Sequence, residues 1–183
     1  MQQFLRSKVS RLGFRELLFS QVEAIALWLV GGLPGIVGFA LRWATLKLLL
    51  KRLKGFCWVQ PGVTFVQTNR LEIGRYFGCN TGTYINAIGG ITMGDHVLLG
   101  SNVTISSGIH PIDGASPPVF VRPTIPKAIR IEDDVWIAAG AVILPGVTLR
   151  KGTVIGANAV VTEDTEEYGV YVGIPARKTR SRL

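Results

Sequence analysis

Residues 131–162 read IEDDVW, IAAGAV, ILPGVT, LRKGTV, IGANAV and VT when they are divided into sixes. An aliphatic residue opens each unit, and small, glycine or polar residues follow it. An amphipathic helix repeats its apolar residues at three and four positions and a half-buried strand at two, so a period of six fits neither. Short strands that alternate with turns and stack in coils bury one aliphatic column per face. The stretch therefore predicts a parallel β-helix.

The same period runs upstream, from residue 57 to residue 106. It stops at Ser106 and resumes at Ile131, after a long proline-rich segment. A stiffened loop of this length inside a repeat array is typical of a functional element. The upstream positions that open a unit are Val59, Phe65, Ile73, Cys79, Ile85, Met93, Leu99 and Ile105, with two extra residues at each change of phase.

Charge and hydropathy are concentrated at the start of the chain. The 183 residues carry a net charge of +8 and a mean hydropathy of +0.34. Residues 1–60 hold nine of the lysines and arginines, among them Arg6, Lys8 and Arg11, against Glu16 and Glu23. A basic segment beside an apolar run is typical of a membrane surface rather than of nucleic-acid binding. The two cysteines form neither a disulfide framework nor metal-ligand spacing.

Residues 24–41 contain no charge and would measure about 27 Å as a helix, enough to cross a bilayer. Gly31, Gly32 and Pro34 interrupt the run, and positive charge flanks it on both sides. We therefore expect a re-entrant hairpin that turns at residues 31–34, followed by an interfacial amphipathic helix over residues 42–55. A buried core helix is the alternative, which we disfavour because a β-helix leaves no core to receive it.

We therefore expect the chain to consist of a membrane-associated helical segment, residues 1–54, and a β-helix domain, residues 55–183. The two parts are expected to be separable, so that a chain beginning near Gly55 keeps its activity. We expect both ends of the hairpin to face the cytosol.

Four features together resemble the hexapeptide-repeat acyltransferases, in particular the branch of maltose, galactoside and polysaccharide O-acetyltransferases. They are the hexads, IHPID at residues 109–113, VWIAAGAVILPGVT at residues 135–148 and GIPAR at residues 173–177. The resemblance covers about residues 60–180. It implies an all-β fold, a left-handed parallel β-helix, and a homotrimer with active sites between subunits. It also implies acetyl-CoA as the acetyl donor.

Acetyl transfer to a hydroxyl needs a base that works near neutral pH, and histidine suits this role. His110 lies where the repeat breaks and matches the general base of the family. His96 lies at a hexad turn, where a solvated turn residue is expected. Asn80 matches an asparagine that assists in the galactoside branch, and Asn86 is the alternative; either can cap a turn. Asp113 is a partner for the imidazole or the acceptor, or else forms a local turn.

The remaining candidates concern the acetyl donor. Small residues are expected where the backbone must approach the pantetheine arm, and guanidinium groups suit phosphates. By the resemblance, the positions along the arm and at the phosphates are Ala139, Gly140, Ala157, Arg177 and Arg180. Trp136 matches the tryptophan of the family's VWI motif, with simple packing as the alternative.

We expect an O-acetyltransferase that acts on a saccharide, specifically a lipid-linked or cell-surface polysaccharide precursor, at the cytoplasmic face of the membrane. The apolar segment favours a lipid-linked acceptor, and acetyl-CoA is made in the cytosol. An N-acetyltransferase of a nucleotide-linked amino sugar and a non-catalytic membrane-anchored scaffold are the alternatives. A carbonic-anhydrase-like β-helix is excluded because two histidines cannot supply three zinc ligands, so no metal is expected.

Overall fold

The computed structural model describes residues 13–183. Arg6, Lys8 and Arg11 of the predicted membrane segment therefore lie outside the described residues. Two helices, α1 (Phe14–Gly31) and α2 (Gly35–Leu49), precede a series of short strands.

Three parallel sheets form the faces of a triangular coil. Sheet A contains β1 (Arg52–Leu53), β4 (Leu71–Ile73), β7 (Ile91–Met93), β12 (Ile129–Ile131) and β15 (Thr148–Leu149). Sheet B contains β2 (Cys57–Val59), β5 (Phe77–Cys79), β8 (Leu98–Leu99), β13 (Trp136–Ile137), β16 (Val154–Ile155), β18 (Gly169–Val172) and the antiparallel β19 (Arg177–Ser181). Sheet C contains β3 (Thr64–Val66), β6 (Tyr84–Asn86), β9 (Thr104–Ser106), β14 (Val142–Ile143) and β17 (Val160–Val161).

The aliphatic columns predicted from the six-residue period form the core. Every residue that opens a unit, from Val59 to Val161, is buried. The register stacks these residues directly, since Ile137 pairs with Leu99 on one side and with Ile155 on the other. The predicted parallel β-helix is therefore confirmed, whereas its left hand remains an implication of the resemblance.

Both cysteines belong to this core. Burial raises the pKa of the Cys57 and Cys79 thiols to about 12. They therefore act as small apolar side chains rather than as reactive thiols.

The helices form a hairpin that turns at the predicted position, after Gly31. Within residues 13–183, neither helix combines the length and the hydropathy that crossing a bilayer requires. The hairpin lies against the first coil, where α1 contacts β3 and α2 contacts β1, β2 and the 3-10 turn Thr68–Arg70. The helical segment is thus attached to the β-helix along its length.

Two sequence-based expectations about this segment are wrong. The end of a β-helix does leave a core to receive a helix, because Leu46, Leu50 and Leu53 join the buried cluster of the first coil. An interfacial helix over residues 42–55 does not form, because α2 ends at Leu49 and β1 already belongs to sheet A. A chain beginning near Gly55 would lack these core residues. That such a chain keeps its activity stays a prediction.

Candidate active site

The loop over residues 107–128 leaves the coil between β9 of sheet C and β12 of sheet A. Its base is an antiparallel ribbon, in which β10 (Gly108–Ile109) pairs with β11 (Ile125–Pro126). His110 directly follows β10 and is exposed. The ribbon therefore fixes the point from which the imidazole projects beyond the coil.

One buried arginine holds the rest of the loop. Arg122 donates from Nε to the Pro117 carbonyl at 2.7 Å, and from Nη1 to the carbonyls of Pro111 at 3.1 Å and Asp113 at 2.7 Å. Its Nη2 donates to the Gly114 carbonyl. Four carbonyls of the segment that follows His110 thus converge on one guanidinium. The loop has a defined shape although it contains little regular structure.

The sequence pattern did not predict Arg122. Its signal was weak: it is the only arginine between Arg75 and Arg130, and it stands in a loop rich in proline and poor in charge. Asp113 is the residue that the sequence offers as a partner for His110. Its side chain is exposed, whereas its backbone carbonyl is the group that Arg122 holds.

The two candidate asparagines lie at opposite ends of the strands of sheet C, at two different corners of the coil. Asn80 follows β5 at the corner between sheets B and C, and its side-chain amide donates to the Leu99 carbonyl at 3.0 Å. Asn86 ends β6 at the other corner, where it pairs with Ser106 at the start of the loop. Its side-chain oxygen accepts from the Ile88 N–H at 3.1 Å, as a turn cap does. Within one protomer, Asn86 therefore lies nearer the root of the His110 loop.

The three predicted pantetheine positions lie on one ridge, the B–C corner. Ala139 and Ala157 occupy equivalent places in successive coils, joined through the Asn158 N–H and the Ala139 carbonyl at 2.9 Å. Gly140 has a φ of 72°, and a Cβ there would collide with the side chain of Asn158. Asn102 and Asn158 also have a positive φ at the equivalent places in the neighbouring coils, so it is the close approach of the Asn158 side chain that requires glycine at residue 140. Asn80 lies on the same corner two coils earlier.

The two predicted phosphate ligands lie in different surroundings. Arg177 starts β19 and is 3.9 Å from Glu163. Arg180, by contrast, lines a groove of about 480 Å³ on the side of sheet B that points away from the core. Trp136 lines the same groove and is 47% exposed, so it does not pack in the core of the coil.

His96 borders this groove at the corner between sheets A and B. It has a φ of 61° and its ring stacks on Tyr76, with centroids 4.6 Å apart. Both features are those of a turn residue at the surface, as the sequence predicts. His110 is the histidine that stands on a dedicated loop.

The chain resembles known transferases in sequence and in structure. Residues 128–163 match the family model "Bacterial transferase hexapeptide (six repeats)". The chain is 37% identical over 123 residues to galactoside O-acetyltransferase of Escherichia coli strain K12, a match over 67% of this chain and 60% of that protein. The matched part thus spans less than two thirds of the length of its curated relatives.

Two solved structures extend the likeness to most of the chain. A hexapeptide-repeat acetyltransferase of Vibrio cholerae, complexed with acetyl coenzyme A, superposes with a TM-score of 0.84 at 29% identity, over 92% of this chain and 90% of that one. A galactoside acetyltransferase in complex with coenzyme A gives a TM-score of 0.82 at 30% identity, over 89% and 80%.

Proposed function

Because the chain belongs to the hexapeptide-repeat acyltransferase family, we propose that it moves an acetyl group from acetyl-CoA to a hydroxyl of a saccharide. The observation that carries this proposal is the presentation of His110 on a loop whose shape is fixed by a β-ribbon and by Arg122. A histidine placed in this way is suited to act as a general base at neutral pH. The saccharide hydroxyl supplies the proton that it removes.

The reaction that we propose has two steps. The neutral imidazole of His110 takes the hydroxyl proton while the hydroxyl oxygen attacks the thioester carbonyl, forming a tetrahedral intermediate. The intermediate then collapses with cleavage of the carbon–sulfur bond, and the imidazolium returns the proton to the leaving thiolate of coenzyme A. An amide N–H from Asn80 or Asn86 would stabilise the oxyanion or orient the acceptor.

Asn80 and His110 act together in this proposal only across a subunit boundary. In one protomer they lie at opposite ends of the strands of sheet C, so a site that contains both takes them from two copies. This agrees with the homotrimer that membership of the family implies. Asn86 is the candidate for a site built within one chain.

We propose a lipid-linked or cell-surface polysaccharide precursor as the acceptor, reached at the cytoplasmic face of the membrane. The Escherichia coli relative is named for a galactoside substrate, which favours a saccharide. The helical hairpin leaves large apolar side chains exposed, such as Trp28 and Ile36, which favours an acceptor at a lipid surface. Acetyl-CoA is made in the cytosol, which sets the side of the membrane.

The proposed activity is tested with the purified protein and acetyl-CoA. Release of free coenzyme A is followed with a thiol reagent in the presence of a panel of mono- and oligosaccharides, and the products are weighed by mass spectrometry. We expect release that depends on the saccharide and a product heavier by one acetyl group on oxygen. Transfer only to amino groups, or release that no saccharide stimulates, would show that the proposal is wrong.

The donor site gives a separate prediction. Replacing Arg177 or Arg180 by glutamine should raise the KM for acetyl-CoA by on the order of tenfold and change kcat less, because a charge-assisted contact with phosphate is lost. Steady-state kinetics at saturating acceptor measure the effect. Arg130→Gln is the matched control, since Arg130 is an exposed arginine on sheet A. If neither substitution changes the KM, these residues do not belong to the donor site.

A further inference from the structure

The helical hairpin presents an apolar outer face. Between Leu17 and Leu46 the only ionisable side chains are Glu23 and Arg42, and both are buried against the β-helix. What the hairpin exposes instead is a set of large apolar side chains, here called the outer face: Ile25, Trp28, Leu29, Ile36, Val37 and Leu41. A surface helix normally shows the opposite arrangement, with its apolar stripe inside. The outer face is therefore a candidate for contact with an apolar partner.

The inward charges have fixed partners in the first coil. Glu23 accepts from the backbone N–H groups of Gln67, at 3.1 Å, and Thr68. Arg42 donates from Nε to the Val59 carbonyl at 2.9 Å. These contacts fix the rotation of both helices, because turning the outer face inward would break the hydrogen bonds of Glu23 and Arg42 and carry both charges outward.

Three carbonyls at the turn of the hairpin have hydrogen-bond donors. Arg42 Nη1 donates to the carbonyls of Val30 at 3.2 Å and Leu33 at 2.6 Å, and the Gly62 N–H donates to the Gly31 carbonyl at 3.1 Å. Unpaired carbonyls at a turn are the main cost of placing a hairpin in contact with lipid. For these three carbonyls the protein itself supplies the donors.

Positive charge follows the hairpin in the chain, directly after α2 ends. Lys51, Arg52 and Lys54 follow the helix directly. Glu72 lies 2.6 Å from Lys51. All three cations lower the pKa of the Glu72 carboxyl, chiefly through the hydrogen bond from Lys51. Asp95, which pairs with Arg75, lies close enough to Lys54 for that cation to help lower the pKa of the Asp95 carboxyl. Cations in excess that follow an apolar segment match an anionic lipid surface.

We propose that the outer face of the hairpin lies in the interfacial layer of an anionic membrane, with the β-helix outside that layer. The helices lie along the surface with their inner side covered by protein, rather than inserting as an independent re-entrant element. The proposal concerns this surface alone and holds whether or not the chain transfers acetyl groups.

Vesicle flotation tests the proposal. The full chain should float with vesicles of phosphatidylcholine and phosphatidylglycerol, and less well with phosphatidylcholine alone. The double substitution Trp28→Glu with Ile36→Glu should weaken binding by on the order of tenfold or more. The control, Ile174→Glu with Leu183→Glu, makes the same change of charge at side chains that are 74% and 89% exposed, against 79% and 83% for Trp28 and Ile36. It should bind like the unsubstituted chain.

Three results would overturn the proposal. The first is that the unsubstituted chain fails to float. The second is that both double variants lose binding equally, which would show an effect of net charge. The third is that the hairpin variant floats normally but changes oligomeric state by light scattering, which would show that a second copy covers the outer face. A second measurement does not depend on a disruptive variant. Lipids with brominated acyl chains should quench the tryptophan emission of the unsubstituted chain. Trp28→Phe should remove most of that quenching while binding to the vesicles persists. Quenching that Trp28→Phe leaves unchanged would also overturn the proposal.

Discussion

Replacing His110 by alanine should lower the rate of acetyl transfer by about 10² to 10⁴-fold, the usual contribution of a general base. The loss should appear in kcat, because the imidazole acts on the proton that moves in the transition state. The KM for acetyl-CoA should change little. Steady-state kinetics with a saccharide acceptor, together with acetyl-CoA binding measured by calorimetry, separate these two effects.

The control for this experiment is the second histidine. His96→Ala removes an exposed imidazole that stacks on Tyr76 at a turn, and it should leave turnover close to normal. The oligomeric state should be the same for both variants. Near-normal turnover in His110→Ala would remove this residue from the proposed mechanism.

Arg122→Ala should lower kcat by about 10 to 100-fold, although the side chain is directed at backbone carbonyls rather than at a substrate. Without the guanidinium, four carbonyls that follow His110 lose their common donor, and the loop samples other shapes. A small displacement of a catalytic group is enough to cause a loss of this size. Arg122 is in this sense a positioning residue for His110.

Two readouts distinguish positioning from a general loss of structure. The thermal midpoint should shift little, because the partners of Arg122 all lie within residues 111–117 and outside the coil, whereas limited proteolysis should begin to cut within that segment. Arg122→Lys should recover only part of the rate, since an ammonium group cannot reach four carbonyls as the planar fork does. An Arg122→Ala enzyme with normal kcat, or with the coil itself destabilised, would contradict the role.

The columns of the β-helix were predictable because their cause is local. A unit of six residues carries its own strand, its own turn and one inward side chain. The spacing of Ile137 and Ile143 therefore predicts the fold without reference to distant residues. The loop was predictable for the same reason, as the place where the period stops. His110 followed from its position there and from the resemblance.

The docking of the hairpin was not predictable in this way. An uncharged run of eighteen residues has the same composition whether its apolar side chains face lipid or protein. What decides the orientation is the pairing of Glu23 with backbone N–H groups 44 and 45 residues away, and of Arg42 with a carbonyl 17 residues away. Backbone groups have no sequence signature, and the partners of Arg122 are backbone carbonyls too. The sequence therefore names the side chains of such contacts without indicating what they bind.

The contacts of Glu23 and Arg42 have one more consequence. A parallel β-helix ends in unpaired strand edges, and an open edge invites another chain to continue the ladder. Here the carboxylate occupies the N–H groups of Gln67 and Thr68, and the guanidinium occupies the carbonyl of Val59, so that two side chains stand in for a preceding coil. The hairpin therefore covers this end of the coil, and we expect it to hinder end-to-end polymerisation. A chain that lacked it would be expected to stack into filaments rather than to remain as discrete molecules.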